Sequence, residues 1–182
     1  DTELSLEFRR VLFRSPEKLN AWSSEMGLLL FRRMEQVAAD RAIRAVVLRG
    51  EGRSFSAGID LKPDVRDRIV GRSPAEKVVN YYDRYRGSHR RTQAIEAIPQ
   101  PIVAAIHGHC LGAGFEIAML ADMRLAAEGT VFGCPEVRIG VAIDCGLDLR
   151  LAQEVGPAWA KWMTLTGRRF DAATAHRSEE HT

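Results

Sequence analysis

Only three cysteines occur in the 182 residues, Cys110, Cys134 and Cys145. None belongs to a CxxC pair, and no histidine cluster accompanies them, so a disulfide framework and a zinc site are both excluded as organising features. Reduced thiols suit a cytoplasmic protein. No apolar run approaches the roughly 20 residues of a membrane span, and no signal peptide is visible. The chain also lacks a strong charge of either sign. Its net charge of +2 gives no general attraction for nucleic acid or anionic membrane. Internal repeats, low-complexity tracts and a linker are missing too, which leaves one domain. At 46% apolar residues, that domain can bury a sizeable core.

Two ends stand apart from the rest. DTELSLEFRRVLFRS (1–15) and the last six residues, 177–182, resemble translated sequencing-adapter sequence. Functional reasoning is therefore confined to residues 16–175.

Within that stretch helices and strands alternate. Residues 20–40 carry Trp22, Met26, Leu29, Leu30 and Val37 at helical spacing, with Asn20 as the expected N-cap. Val46, Val47 and Leu48 form a short apolar run ending at Gly50, as a buried strand would. Residues 63–74 are polar and irregular. A second helix is predicted over 75–98, with Val78, Tyr82, Ile95 and Ile98 toward the core and Pro99 and Pro101 ending it. PIVAAIHG (101–108) reads as a buried strand, and GAGFEIAMLAD (112–122) opens a short helix. Two short strands flank Glu128 and Gly129, and helices over 147–155 and 158–165 are separated by Gly156 and Pro157. Alternation of this kind indicates an α/β architecture with mostly parallel pairing.

Two turns have unusual composition. AIHGHCLGAGFE (105–116) crowds Gly108, Gly112, Ala113 and Gly114 ahead of one acid, Glu116. Such residues permit close backbone approach, and the helix that starts there leaves N–H groups free. No Lys-Ser/Thr follows, so this is not a phosphate loop, and Ile117 stands where a dinucleotide fingerprint needs its third glycine. Taken alone, the stretch reads best as tight helix–strand packing with Glu116 near a helix N-terminus. SFSAGIDL (54–61) also follows a strand and also presents small residues. Together the two turns could each aim one backbone N–H at a single oxygen, the design of an oxyanion hole. Two more acids, Glu136 and Asp144, lie among apolar residues in CPEVRIGVAIDCG. Apolar surroundings raise a carboxyl pKa toward the range useful for proton transfer. Singly, each acid is more often a surface or salt-bridged group, with Arg124 and Arg138 available as partners. His109 suits a wall of the site better than a base, and His107 suits a packed strand position. The arginine-rich stretch over 66–91 reads as a solvated face, because it also carries Asp67, Glu76 and Asp83.

SFSAGIDL, PIVAAIHGHCLGAGFEIAMLAD and VFGCPEVRIGVAIDCG, in this order and spacing, resemble the enoyl-CoA hydratase/isomerase (crotonase) superfamily. PEKLNAW and TGRRFDAATA fit the same pattern. The resemblance implies a crotonase-like (ClpP/crotonase) α/β fold with a ββα-superhelix core. It implies an enzyme, a lyase that adds water to a 2-enoyl-CoA. Coenzyme A enters as part of the substrate, and neither a separate cofactor nor a metal is implied. Ile59 and Ala113 would supply the oxyanion-hole N–H groups; many relatives have glycine at the latter place. Glu116 and Glu136 would hold the attacking water. Asp144 matches an acid of the dienoyl-CoA isomerase branch, which makes a double-bond isomerase the alternative; an RNA-binding or a non-catalytic acyl-CoA-binding relative ranks lower. The resemblance places Lys18, Ala21, Ala57, Gly58, Asp60 and Leu61 against the CoA. It places His109, Leu111 and Gly112 beside the acyl chain, with Pro135 and Ile139 flanking Glu136. FRRVLFRS occupies the place of the family's first strand. A helical region beyond TGRRFDAATA, which in the family covers the CoA site and builds trimers or hexamers, is expected to be missing, leaving apolar surface exposed.

Overall fold

The computed structural model describes residues 8–61 and 70–179. Part of the irregular segment and of the arginine-rich stretch, residues 62–69, lies outside them. Seven strands and five helices are described. They run β1 (Phe8–Phe13), α1 (Ser24–Ala39), β2 (Ala45–Gly50), α2 (Pro74–Glu96), β3 (Ile102–Ile106), β4 (His109–Leu111), α3 (Ala113–Ala118), β5 (Met123–Ala126), β6 (Val131–Gly133), α4 (Leu147–Thr166), β7 (Arg169–Asp171) and α5 (Ala172–Glu179). Short 3-10 turns span Pro16–Lys18 and Pro135–Ile139.

A parallel four-stranded sheet has the order β1-β2-β3-β5. A smaller sheet has the order β4-β6-β7, with β6 and β7 antiparallel. The split explains one departure from expectation. The apolar run after Pro101 does not stay in one sheet: β3 ends at Ile106, Gly108 turns the chain at φ +62, and β4 starts the second sheet. β1 lies outside the 16–175 unit expected from sequence, yet it pairs with β2 from Phe8↔Ala45 to Phe13↔Gly50. Phe13 packs edge-on against Phe55 (5.1 Å between ring centroids) and Trp22 (6.0 Å).

The strands bury one face rather than two. Val46 and Leu48 of β2 and Ile102, Ala104 and Ile106 of β3 are buried, whereas Met123 and Leu125 of β5 are exposed. An α/β sheet normally covers both faces, so the apolar side chains of Met123 and Leu125 stand exposed.

Three local expectations are corrected. Ser23, not Asn20, caps α1, its hydroxyl accepting from Met26 N–H at 3.1 Å. Asn20 instead takes a left-handed conformation (φ 54) and is fully buried. Its amide donates to the Glu51 and Ser54 carbonyls at 2.9 and 2.7 Å and its Oδ1 accepts from Ser15 N–H at 2.9 Å. This ties the 15–20 turn to the loop after β2. Leu29 is 52% exposed because the core-facing stripe of α1 is Gly27, Leu30, Met34 and Val37. Val78 and Tyr82 are 68% and 58% exposed. In α2 only Thr92 and Ile95, near its C-terminal end, are buried, so among the described residues the first turns of the helix find little apolar surface to pack on. The break expected at Gly156 and Pro157 is present: Gly156 leaves helical geometry at φ 74, ψ 160.

Candidate functional site

The two small-residue turns meet. After β2 the chain runs alongside β3 and β4, with Phe55 N–H donating to the His107 carbonyl, Ser56 N–H to His109 O, and Leu111 N–H back to Ser56 O, at 2.8, 2.8 and 3.0 Å. The Ser56 hydroxyl donates to Asn20 O (2.8 Å) and accepts from Gly58 N–H (3.3 Å). Gly58 has φ +93, and a Cβ there would sit 2.9 Å from Leu111 O and 3.6 Å from Gly112 Cα. A Cβ on Gly114 would strike Ser56 Cβ at 2.6 Å. The glycines are therefore required by contact between the turns. Ser54 and Ser56, which with Asn20 hold the junction together, were not singled out in the sequence; the alternation of serines in SFSAG was the available signal.

This junction sets Ile59 beside the start of α3 at Ala113. Trp22 pairs across Ile59, its N–H donating to Gly58 O at 2.7 Å and its carbonyl accepting from Asp60 N–H at 2.9 Å. Among the described residues, neither the Ile59 nor the Ala113 N–H donates to a protein acceptor.

The acids converge on the same place. A Cβ on Gly112 (φ +51) would lie 2.8 Å from Glu136 Oε1. Glu136 Oε2 is buried with no protein partner among the described residues. Glu116, 6% exposed on α3, accepts from Asp144 N–H at 3.2 Å. Burial first, then the charge of Asp144, then that of Glu136 push the Glu116 carboxyl well above its ordinary value. Burial and then Asp144 raise Glu136 as well. Carboxyl oxygens of Glu116 and Asp144 and Cys145 Sγ lie within 4.8 Å of one another. Burial keeps that thiol protonated, which makes it a poor metal ligand.

The remaining sequence-predicted residues divide between two places. Lys18, Ala21 and Asp60 line a groove of about 770 Å³ between β1, the 16–18 turn and α1. Lys18 Nζ reaches Asp60 Oδ2 at 3.1 Å. None of the three acids lines this groove. Ala57 donates to Leu19 O at 2.9 Å, linking the groove to the junction, and Leu61 is exposed. On the other side, Leu111 is buried, Gly112 N–H donates to Gly133 O (2.9 Å), Pro135 is half-buried and Ile139 is exposed. His109 is turned onto Ser54: Nδ1 lies 3.0 Å from the Ser54 hydroxyl, which also accepts the His109 N–H at 3.3 Å. His107 is half-buried past the end of β3, its Nε2 2.9 Å from Gly52 O.

The sequence model of enoyl-CoA hydratase/isomerase matches residues 8–178. The chain belongs to the enoyl-CoA hydratase/isomerase family. Among relatives in the family, YngF of Bacillus subtilis, named as an enoyl-CoA hydratase/isomerase, is 34% identical over 175 residues, covering 93% of this chain and 61% of that protein. A mitochondrial Δ(3,5)-Δ(2,4)-dienoyl-CoA isomerase of Dictyostelium discoideum is 29% identical, covering 89% and 56%. The crystal structure of an enoyl-CoA hydratase/carnithine racemase from Magnetospirillum magneticum superposes with a TM-score of 0.81 at 33% identity, covering 94% of this chain and 62% of that one. The fold is thus crotonase-like, and the chain spans about 61% of the length of YngF. No described helix is long and apolar enough to cross a membrane.

Proposed function

We propose that this chain carries the acyl-CoA site of an enoyl-CoA hydratase. The observation that carries the reading is the junction of Gly58 with Gly112, where two unengaged N–H groups and the Glu136 carboxyl come together with Glu116 behind them. Ile59 and Ala113 N–H would hold the thioester oxygen. One carboxylate of the Glu116/Glu136 pair takes a proton from water as its oxygen bonds to the β-carbon. Electron density moves onto the thioester oxygen, and the α-carbon then takes a proton from a neutral carboxyl. Donors preorganised at the developing negative charge contribute about 3–4 kcal/mol each to the rate. The raised carboxyl values of Glu116 and Glu136 suit the proton steps. The Lys18–Asp60 groove would take the more polar part of coenzyme A. Lys18 supplies a cation there, already paired to Asp60.

A second reading has one observation in its favour: the charge of Asp144 raises both Glu116 and Glu136. That arrangement suits shuttling a proton along a dienoyl chain. Incubating the protein with crotonyl-CoA and following loss of the conjugated-thioester absorbance tests the hydratase. A 3,5-dienoyl-CoA tests the isomerase, because isomerisation creates a chromophore without adding water. No loss with short, medium or long enoyl-CoAs rejects the first reading, and no new chromophore rejects the second.

A further inference from the structure

One ion pair next to the acids remains unaccounted for. Arg150 of α4 is largely buried and binds Glu96 at the end of α2, Nη1 to Oε1, at 2.6 Å. Its other terminal nitrogen, Nη2, donates to the Cys145 carbonyl. That carbonyl belongs to a tight turn. Cys145 and Gly146 are both left-handed, at φ 55 and 75, and Leu147 N–H closes the turn on Asp144 O at 3.0 Å. A left-handed backbone is unfavourable for a residue with a Cβ, so Cys145 needs support from outside. Gly146 lets the guanidinium lie close: a Cβ there would be 3.0 Å from Nη1. Asp144, at the front of this turn, is the residue whose N–H reaches Glu116 Oε1.

We propose that Arg150, anchored by Glu96, is a positioning residue: it holds the Asp144–Gly146 turn so that the Asp144 N–H stays on the Glu116 carboxylate. Its consequence for turnover rests on the hydratase reading above; the contact itself does not. The groups facing the turn are Glu116 on α3, Glu136 on the 135–139 turn, Tyr85 and Glu96 on α2, and Asp148 and Arg150 on α4. A loosened turn takes from Glu116 both the Asp144 N–H, which favours the ionised carboxyl, and the larger influence of the Asp144 charge, which disfavours it, so Glu116 moves downward.

The experiment is a carbon-13 NMR titration of protein labelled at the glutamate carboxyl carbons, with Glu116 assigned by the signal lost in Glu116→Gln. Arg150→Lys keeps the positive charge but cannot span Glu96 and the Cys145 carbonyl together. The Glu116 midpoint is expected to fall. Glu96→Gln supplies the second variant, at a partly exposed carboxylate whose loss leaves the core intact. Removing its negative charge also lowers a neighbouring carboxyl, so the fall in Arg150→Lys, where the charge is kept, is the one that reads the turn. A Glu116 midpoint that stays or rises in folded Arg150→Lys overturns the inference. In the crotonyl-CoA assay the same variants should lower kcat by about tenfold to a hundredfold with KM unchanged. A lowered midpoint in Arg150→Lys, in a protein that hydrates no enoyl-CoA, upholds the positioning role while rejecting the hydratase reading.

Discussion

Gly112→Ala separates the proposed chemistry from stability. The added Cβ would lie 2.8 Å from Glu136 Oε1, against about 3.4 Å for an ordinary contact, so the carboxylate must retreat by about 0.6 Å. Misplacement of a reacting group on the 1 Å scale costs on the order of a hundredfold in rate, so a loss of about tenfold to a hundredfold in kcat is expected for crotonyl-CoA hydration. The same substitution forces a Cβ onto a backbone at φ 51, ψ −125. That strain costs on the order of 1–3 kcal/mol, or about 2–12 °C in Tm for a chain of this size. Gly129→Ala is the control. Its φ is +79, yet a Cβ there meets nothing within 4 Å. It should lower Tm and leave activity alone. Gly112→Ala with wild-type kcat, or Gly129→Ala with an equal loss of kcat, would refute the placement of Glu136 at the reacting centre.

Other outcomes follow from the same geometry. Phe13→Ala should cost about 3–5 kcal/mol, or about 6–20 °C in Tm, because the ring is buried against Phe55 and Trp22; a thermal melt within 2 °C of wild type, the shift of about 1 kcal/mol, would show that β1 does not pack. Glu116→Gln should reduce hydration by about 10²–10⁴-fold. It should also stabilise the fold increasingly as pH rises. The folded carboxyl lies above its unfolded value, so the wild-type protein loses stability from the unfolded value upward through the folded one, and the amide does not. Urea denaturation at a series of pH values checks the sign. Asp144→Asn should abolish dienoyl-CoA isomerisation and largely spare crotonyl-CoA hydration; equal loss of both would place Asp144 in a shared step.

Much of this site was legible in the residues because its signals are local. Small residues announce a close approach wherever they sit, and SFSAGIDL and HCLGAGFE needed nothing beyond their own composition to suggest free N–H groups after strands. The break at Gly156 and Pro157 was legible for the same reason: a proline ring obstructs its own helix. The 3.6-residue pattern of α2 was present but misleading. Periodicity says which residues share a face, not how far along that face a neighbour extends, and Val78 and Tyr82 project past the core.

What sequence alone determined was the family and the central strands around 46–50 and 101–108, all carried by contiguous motifs; β4, β7 and the pairing of β1 were not read from it. Three matters were decided only in tertiary structure. Asn20 is a buried bracket between two loops rather than a cap, because its partners Glu51 and Ser54 lie more than thirty positions away. Arg150 joins α2 to the Asp144 turn across 54 positions to Glu96. And Glu116, Glu136 and Asp144 become one electrostatic unit only because α3, the 135–139 turn and the start of α4 fold onto one point. Charge coupling depends on distance through a low-dielectric interior, and a linear chain does not encode that distance in any spacing.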